Sequence, residues 1–334
     1  MREYDFELRL SAHLEQDGLP GLSEIAADGL LARQLGTSVV GSGARIMDLV
    51  YVAPGPDFDR RVDLSPGTIP PLAIESDIEV GSRRSVAKAI DAPPEIASRV
   101  AERAAEVDFF EISRRGGQTM ARQATRYPDW FSGLVGIENK PDLRTPGDLA
   151  AQLRRDVSLQ VLDAVILATA SHVTRAHRHR LPDPVGIWRV HPDEPAIEVV
   201  REPAVLDSER PGFEIRREQP GQYDVEYVSA VGKTRQRRRI AERAYGKGWR
   251  TFEPPGCTKF ESWTAAGTDG LPGCSWADRL VEPAAECGLD CPGFESAPEP
   301  ELGRETERAR RTPWEPDPPG TARYQAFLDR FRDP

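Results

Sequence analysis

The feature that most constrains the fold is a set of four short apolar runs, separated by stretches with helical spacing. The runs are RIMDLVYV (45–52), LVGIENK (134–140), AVILATA (164–170) and VGIWRV (185–190). Each has the length of a strand and is rich in β-branched residues, whereas the segments between them repeat their apolar residues at helical intervals. Strands that alternate with helices predict an α/β core built on a mixed sheet.

Helices are predicted at the start of the chain and between the apolar runs. EYDFELRLSAHLEQ (3–16) has helical spacing, and GLSEIAADGLLARQLG (21–36) predicts a second helix that stops at its final glycine. A third helix is predicted over DLAAQLRRDVSLQVL (148–162), with Thr145 as its N-cap and Pro146 as its first residue.

Changes in composition divide the chain into five parts. Residues 1–55 and 127–204 are predicted to be two parts of one core, and 56–126 interrupt it. The interruption shows a helix, a short strand, a glycine turn and a short strand, so we expect an inserted winged-helix-like module. Residues 205–294 hold a basic segment and a four-cysteine module, and 295–334 form a charged, proline-rich tail with a short terminal helix.

Three residues on the predicted strands suit metal-assisted cleavage of phosphodiesters. Asp48 lies inside an apolar run, where a carboxylate needs a partner or a metal ion. Glu138 and Lys140 are two residues apart on a strand, so their side chains share a face. Two carboxylates can bind a divalent cation, and a cation beside the attacking water stabilises the charge that develops on phosphorus. The alternative is that each polar residue simply faces solvent.

The order of these elements resembles the PD-(D/E)XK nuclease superfamily: a helix, a strand with Asp, a strand with Glu-x-Lys, a helix that often carries Gln, and an apolar strand. The resemblance implies a restriction-endonuclease-like core in which Asp48 and Glu138 bind Mg²⁺ or Mn²⁺ and Lys140 orients or activates the water. It implies that Gln152 touches the nucleic-acid backbone or water, and that Glu7 helps to hold the metal. The alternatives are a solvent-facing Gln152 and a surface glutamate at position 7.

The chain departs from the superfamily pattern in three respects. No proline directly precedes Asp48, and the gap from Asp48 to Glu138 is long enough to require the insertion. Asp156 stands where one nuclease branch has a tyrosine. The resemblance covers only the two core parts, while the whole chain is similar to an uncharacterised family from halophilic archaea.

The chain is acidic, with a formal net charge of -10, and only five of its 44 basic residues are lysine. An acidic, lysine-poor surface is typical of a protein that works in high salt, where screening weakens self-repulsion. Local basic clusters therefore matter more than the total charge. One such cluster runs from 235 to 250, where Tyr245 and Trp249 are predicted to stack on nucleic-acid bases between the basic residues. The alternative is a solvated helix face whose basic residues pair with acids elsewhere. The predicted nucleic-acid-binding residues of the cluster are Arg235, Arg237, Arg238, Arg239, Lys247 and Arg250.

All four cysteines lie in one C-terminal stretch, as Cys257, Cys274, Cys287 and Cys291. In a cytosolic protein this clustering favours a metal over disulfides. Four thiolates could hold a Zn²⁺ ion or a [4Fe–4S] cluster, and the sequence does not separate the two. Free buried thiols are the alternative.

These patterns predict a cytoplasmic, Mg²⁺-dependent deoxyribonuclease-type hydrolase that acts on DNA, in repair or defence. No membrane partner is expected, because no apolar run approaches the ~18 residues of a membrane span and the N-terminal residues lack a signal peptide. Two alternatives stand beside it: an inert nucleic-acid-binding protein with the same fold, and a regulator that reads DNA through the winged helix. The oligomeric state stays open.

Overall fold

The computed structural model describes residues 1–22, 29–40, 45–65, 67–191, 196–265 and 268–300. Its first elements in chain order are α1 (Glu3–Asp17), β1 (Leu30–Gly36), β2 (Ile46–Pro54), α2 (Phe58–Val62), α3 (Pro71–Ile74), β3 (Arg84–Ser85), α4 (Val86–Ala89), α5 (Pro94–Glu106), β4 (Phe110–Arg115) and β5 (Gln118–Gln123). The later elements are β6 (Phe131–Asn139), α6 (Leu149–Leu159), β7 (Ala164–Thr169), α7 (Arg175–Arg180), β8 (Gly186–His191), β9 (Ala196–Arg201), β10 (Gly212–Gln219), β11 (Gln222–Val228), α8 (Ala230–Lys247), β12 (Phe260–Ala265), β13 (Thr268–Cys274), β14 (Arg279–Leu280) and α9 (Pro283–Glu286).

A mixed six-stranded sheet in the order β1-β2-β6-β7-β8-β9 forms the centre of the protein. The pairs β6–β7 and β7–β8 are parallel, and the other neighbours are antiparallel. Parallel neighbours need a crossover connection, which α6 and α7 supply. Every residue of β7 is buried, which explains why its sequence is one unbroken apolar run. The α/β class and the mixed sheet predicted from the sequence are confirmed.

Helices cover both faces of this sheet. On one face α1 packs Phe6, Leu10 and Leu14 against strand residues such as Leu49 and Ile137. On the other face, α6 and α8 pack against a second set of strand residues. The periodicity of α1 in the sequence therefore reflects a buried stripe that faces the sheet.

The segment between β2 and β6 has a hydrophobic core of its own. Ala97, Ala101 and Ala104 of α5 pack there against Phe109 and Phe110. Its three short strands pair in the order β3-β5-β4, and Gly116 and Gly117 make the β4–β5 turn with positive φ. The helix and the two strands predicted in this segment are thus present.

The C-terminal part contributes to the core of the main sheet rather than standing apart from it. Tyr245 of α8 belongs to the cluster on one face. Leu271 of β13 and Leu280 of β14 belong to the cluster around α1 on the other face. Strands β10 and β11 form a separate two-stranded hairpin between β9 and α8.

The helix predicted over 21–36 is wrong in its second half, because residues 30–36 form β1. Residues 23–28 lie outside the described residues. The letters LLARQL favour a helix locally, but here the segment pairs with β2 from Leu30 opposite Val52 to Gly36 opposite Ile46, and Gln34 takes no part in this register. Tertiary pairing therefore overrides helix propensity at this position.

The bounds predicted for the third helix are also wrong. Helix α6 begins at Leu149 with Asp148 as its N-cap, because Gly147 has a φ of 59° and interrupts the turn that Thr145 was expected to cap. It ends at Leu159, where Gln160 adopts the left-handed conformation. Most of the tail predicted at 295–334 lies outside the described residues.

Among the described residues, no helix combines the length and the apolar character needed to cross a membrane.

Candidate metal-binding cleft

Two adjacent strands of the central sheet bring the predicted site residues together. Strand β2 runs antiparallel to β6, and Leu49 lies opposite Ile137, one residue away from Asp48 and Glu138 respectively. A cleft of about 510 Å³ opens there, beside α1 and the start of α6. Its lining includes all five predicted residues: Glu7, Asp48, Glu138, Lys140 and Gln152.

Asp48 is held by hydrogen bonds to both of its oxygen atoms. The backbone N–H of Asn139 donates to Oδ2 at 2.8 Å, and the Gln34 side chain donates to Oδ1 at 3.3 Å. Burial raises the pKa of Asp48 above its ordinary value, and the Asn139 hydrogen bond acts in the opposite direction. The partner that the sequence required for a carboxylate in this strand is therefore a backbone amide of β6.

Glu138 is the more strongly perturbed of the two carboxylates. It is 7% exposed, and the Nη2 of Arg45 donates to its Oε2 at 2.7 Å. Burial and then the nearby charge of Asp48 raise the pKa of Glu138 to about 7. Functional sites and buried ion-pair networks both produce a raised carboxyl pKa of this kind.

Arg45 joins Glu138 to a second buried acid that sequence reasoning missed. Its guanidinium also donates to both oxygens of Asp156, the closest contact being 2.8 Å. Burial would lower the pKa of Arg45, but the carboxylates of Asp156 and Glu138 raise it above its ordinary value. The presence of aspartate on the helix that carries Gln152 was visible in the sequence, but its partner was not.

Glu7 is buried rather than at the surface, so the alternative of a surface glutamate is wrong. It is 3% exposed and accepts a hydrogen bond from Arg33 Nε at 2.6 Å. The side chain of Gln34 also donates to it at 3.4 Å. Gln34 has a φ of 55°, an uncommon conformation for a residue other than glycine, and its amide reaches both Glu7 and Asp48.

Lys140 follows β6 at the mouth of the cleft. Its backbone N–H donates to the carbonyl oxygen of Ala168 at 2.9 Å, which fixes the main chain. Among the described residues, its ammonium group makes a long ion pair with Glu3, at 3.8 Å. Gln152 lines the cleft from α6 and is half-buried. The ammonium group can therefore turn towards an anion that enters the cleft.

The carboxylate oxygens of the cleft are the kind of ligand that a hard cation prefers. The described side chains do not, however, form a preassembled metal site. Within the described ranges, no group of three or more His, Cys, Asp or Glu side chains is arranged to hold a metal ion. Asp48 and Glu138 nevertheless supply carboxylate oxygens, which Mg²⁺ and Mn²⁺ prefer. Mg²⁺ usually binds proteins through one or two carboxylates and keeps several waters, so two donors suffice for it.

The four cysteines come from separate segments of the C-terminal part and form no disulfide. Cys274, Cys287 and Cys291 line a cavity of about 460 Å³. Burial, followed by the proximity of the other three thiols, raises the pKa of Cys287 to about 11. Cys287 therefore lies near the other three thiols, but the cysteines are not arranged as a metal site in the described part of the chain.

The basic segment forms α8 and the turn after it, and its side chains are largely engaged within the protein. Arg237 pairs with Asp163, Arg239 with Glu75, and Arg250 with Glu15. Lys247 donates to the backbone oxygen of Gln34, and Arg238 lies over the Tyr127 ring. Arg235 is exposed.

The interpretation of Tyr245 and Trp249 as stacking rings is wrong, because they are 0% and 1% exposed. Both rings pack in the hydrophobic core instead. Binding of nucleic acid by the arginines of this segment stays a prediction.

The fold and the cleft define a mixed α/β protein with a cluster of buried carboxylates at the edge of two adjacent strands. Residues 30–296 match the family of unknown function DUF5787, and the chain belongs to that family. No curated protein and no solved structure matches it.

Proposed function

We propose that the protein is a metal-dependent nuclease that hydrolyses phosphodiester bonds in DNA. One observation carries this proposal: Asp48, Glu138 and Lys140 line one cleft although 90 residues separate the first two in sequence. Two carboxylates and a cation are the set that metal-assisted phosphodiester cleavage requires. The sheet order and the flanking helix α1 are further support, because they agree with a restriction-endonuclease-like core.

In this proposal Asp48 and Glu138 hold Mg²⁺ or Mn²⁺. The bound ion supplies a Lewis acid for the phosphate and lowers the pKa of an attacking water. The Asn139 N–H and Gln34 fix the orientation of Asp48, and Arg45 fixes that of Glu138. Arg45 occupies one oxygen of Glu138 and compensates part of the negative charge of the carboxylate cluster.

Lys140 acts on the substrate side of the proposed cleft. Its ammonium group orients the water and stabilises the charge that develops on the phosphate oxygens. Gln152, on α6, would hydrogen-bond the nucleic-acid backbone or the water. The long ion pair between Lys140 and Glu3 suits this role, because little is lost when the ammonium group moves to a phosphate.

The test is cleavage of labelled single-stranded, double-stranded and branched DNA with Mg²⁺ or Mn²⁺ in high salt. Lys140→Ala should reduce the cleavage rate by at least ~100-fold, the contribution of a positioned charged group in the transition state. Lys259→Ala is the matched control, since Lys259 pairs with Glu295 outside the cleft and should leave the rate unchanged. Cleavage that survives in Lys140→Ala would show that the site is placed wrongly.

The second candidate is a binding or regulatory protein in which the segment 56–126 reads DNA as a winged helix. The element order α3-β3-α4-α5-β4-β5 and the sheet order β3-β5-β4 favour this interpretation. Arg114 and Arg115 precede the exposed β4–β5 turn, the position of a wing. Duplex binding without cleavage by the wild type, abolished in Arg114→Ala/Arg115→Ala, would support it over the nuclease.

We also propose that the four cysteines hold a structural metal, zinc or an iron–sulfur cluster. Its support is that Cys274, Cys287 and Cys291 line one cavity and that Cys287 lies near the other three thiols. Metal binding would have to draw the thiols together, because the described side chains are not arranged as a metal site. The test is the metal content and visible absorption of the purified full chain, compared with Cys287→Ser/Cys291→Ser. Zinc or iron present in the wild type and lost from the variant is expected. Chain that is fully folded and free of both metals would contradict it.

A further inference from the structure

The β10–β11 hairpin exposes more large apolar side chains than its size requires. Phe213, Tyr223, Val225 and Tyr227 are 51%, 50%, 51% and 63% exposed. In the strand register Phe213 lies opposite Tyr227 and Ile215 opposite Val225, so these side chains share one face of the hairpin. The rings of Phe213 and Tyr227 meet edge to face with centroids 6.1 Å apart. An apolar face of this kind marks a binding surface.

The hairpin is held firmly against the helix that lines the cleft. Gly212 has no room for a side chain, because a Cβ there would lie 2.3 Å from the backbone oxygen of Leu159 at the end of α6. The carboxylate of Glu214 accepts from the backbone N–H groups of Val39 and Val40, at 2.9 and 2.8 Å. Arg154 on α6 pairs with Glu218. The apolar face is therefore presented in a fixed position relative to α6.

A small polar cavity lies between the hairpin and α6. It has a volume of about 140 Å³, and the carboxylates of Asp156 and Glu214 line it together with Arg45, Arg155 and Arg216. Arg45 also lines the cleft that contains Asp48 and Glu138. The cavity and the cleft therefore share Arg45, and Arg216 lies on the hairpin side of the cavity, exposed and in a long ion pair with Glu214 at 3.8 Å.

The four carboxylates of the hairpin outnumber its two arginines, but each is either engaged within the protein or lies away from the apolar face. In the strand register Asp224 lies opposite Arg217 and Glu226 opposite Glu214. Because side chains alternate along a strand, both acids lie on the face away from Tyr223, Val225 and Tyr227. Glu218 lies opposite Tyr223 on the apolar side, and its carboxylate forms an ion pair with Arg154. Exposed aromatic rings next to arginines suit unstacked bases linked by phosphates, because bases stack on rings while guanidinium groups contact the backbone.

We propose that the β10–β11 hairpin is a stacking platform for unpaired bases of single-stranded DNA, with the exposed Arg216 beside it as a contact for the phosphates. This inference rests on the proposed function only for the identity of the occupant, and it names the substrate: a strand that is single-stranded next to the point of cleavage. A duplex keeps its bases stacked inside and would not use this face.

The test is binding of labelled oligo-deoxythymidine and of a matched duplex to the full chain, measured by fluorescence anisotropy without divalent metal. Tyr227→Ala and Phe213→Ala should each weaken single-strand binding about tenfold, within the range found for removal of one stacking ring. Tyr227→Phe should retain wild-type affinity, because the ring is kept. Trp276→Ala, at another aromatic residue that is 54% exposed, is the matched control and should bind like the wild type.

Arg216→Ala should weaken binding mainly at low salt, whereas the loss in Tyr227→Ala should persist in molar salt, because stacking is not screened. Equal affinity of the wild type, Tyr227→Ala and Phe213→Ala for the single strand would overturn the proposal. So would a wild-type dimer that Tyr227→Ala converts to monomers in light scattering, since a second copy would then cover the face.

The same set of variants separates this inference from the nuclease proposal. If the wild type cleaves nothing but Tyr227→Ala loses single-strand binding, the platform stands and the nuclease falls. If the wild type cleaves in a Lys140-dependent manner while the hairpin variants bind and cleave normally, the nuclease stands and the platform falls.

Discussion

At the scale of single residues, the charge cluster around Arg45 shows how the cleft is held together. Arg45 and its partner Glu138 are each 9% exposed at the side chain, and Asp156 is 2% exposed. Burial of a lone carboxylate is costly, so the two acids depend on the guanidinium between them. No local sequence pattern predicts this triad, because Arg45 lies 93 positions from Glu138 and 111 from Asp156.

Replacement of Arg45 by methionine should strongly destabilise the protein. The change leaves Glu138 and Asp156 buried without compensation, so we expect the free energy of unfolding to fall by about 3–5 kcal/mol in denaturant titrations. Arg144→Met is the control, since Arg144 is 89% exposed and its loss should cost no more than ~0.5 kcal/mol. Adding Asp156→Asn to Arg45→Met should recover part of the loss. An unchanged unfolding midpoint in Arg45→Met would contradict the triad as described.

The buried Lys233 should make the free energy of unfolding depend on pH in the alkaline range. It is 0% exposed, its ammonium group donates to the backbone oxygens of Asp207 and Arg210, and burial lowers its pKa from 10.5 to about 8. Between these two pH values the unfolded chain binds more protons than the folded one, so this group makes stability rise with pH across the window.

The measurement is the difference in free energy of unfolding between wild type and Lys233→Met at a series of pH values. From about pH 8 to about pH 10.5, the free energy of unfolding of the wild type should rise relative to that of the variant. The rise should be at most ~1.4 kcal/mol per pH unit. Below pH 8 the difference should be constant. A difference that stays flat through the whole range would mean that Lys233 keeps its ordinary pKa.

At the scale of elements, α8 connects the core to the segment between β2 and β6. Arg61 of α2 and Glu242 of α8 form an ion pair whose side chains are both 0% exposed. Glu242 also accepts hydrogen bonds from the backbone of Ile69 and from the hydroxyl of Tyr127. A segment that looked like an independent module in the sequence is therefore fixed to the core through buried charge.

The close approach of α8 to this segment predicts an unusual effect of glycine replacement. An added Cβ at Gly246 would lie 1.7 Å from Oγ1 of Thr68 and 3.0 Å from its Cβ. Alanine normally favours a helix over glycine, but here we expect Gly246→Ala to lower the free energy of unfolding by about 1–3 kcal/mol. Gly232→Ala in the same helix meets only ordinary contacts and should be neutral or stabilising.

The matched pair can be compared by thermal and chemical unfolding. If Gly246→Ala proves as stable as the wild type, the loop around Thr68 does not pack against α8 as closely as described. Thr68→Ala combined with Gly246→Ala should relieve part of the clash, because the contacting hydroxyl is then absent.

Sequence reasoning identified those elements whose signal is local. The strands β2, β6, β7 and β8 were found because apolar, β-branched residues persist over a strand's length. The strand state of β1 was missed because it comes from pairing with β2 and not from the letters LLARQL. The meeting of Asp48 and Glu138 in one cleft followed from the order of elements. The contributions of Arg33, Gln34 and Arg45 arise from distant contacts, which no local pattern contains.

At the scale of the whole molecule, the net charge of -10 should make stability depend on salt. Acidic side chains repel one another, and screening at molar salt reduces this repulsion, since the Debye length falls to about 3 Å. We expect the thermal midpoint to rise as KCl is increased from low to molar concentration, measured by circular dichroism. A sucrose series at low salt controls for solvent exclusion. A midpoint that falls as KCl rises would contradict the halophilic interpretation.

The long excursion between β2 and β6 has a consequence for the order in which the chain folds during synthesis. Strand β2 leaves the ribosome well before its neighbour β6, and the intervening segment can collapse around its own apolar cluster in that interval. The sheet closes later, and its second face is covered only when α8 has been made. The cleft cannot form before β6 and α6 have been made, so Asp48 lacks its neighbour Glu138 for as long as the segment between β2 and β6 is being synthesised.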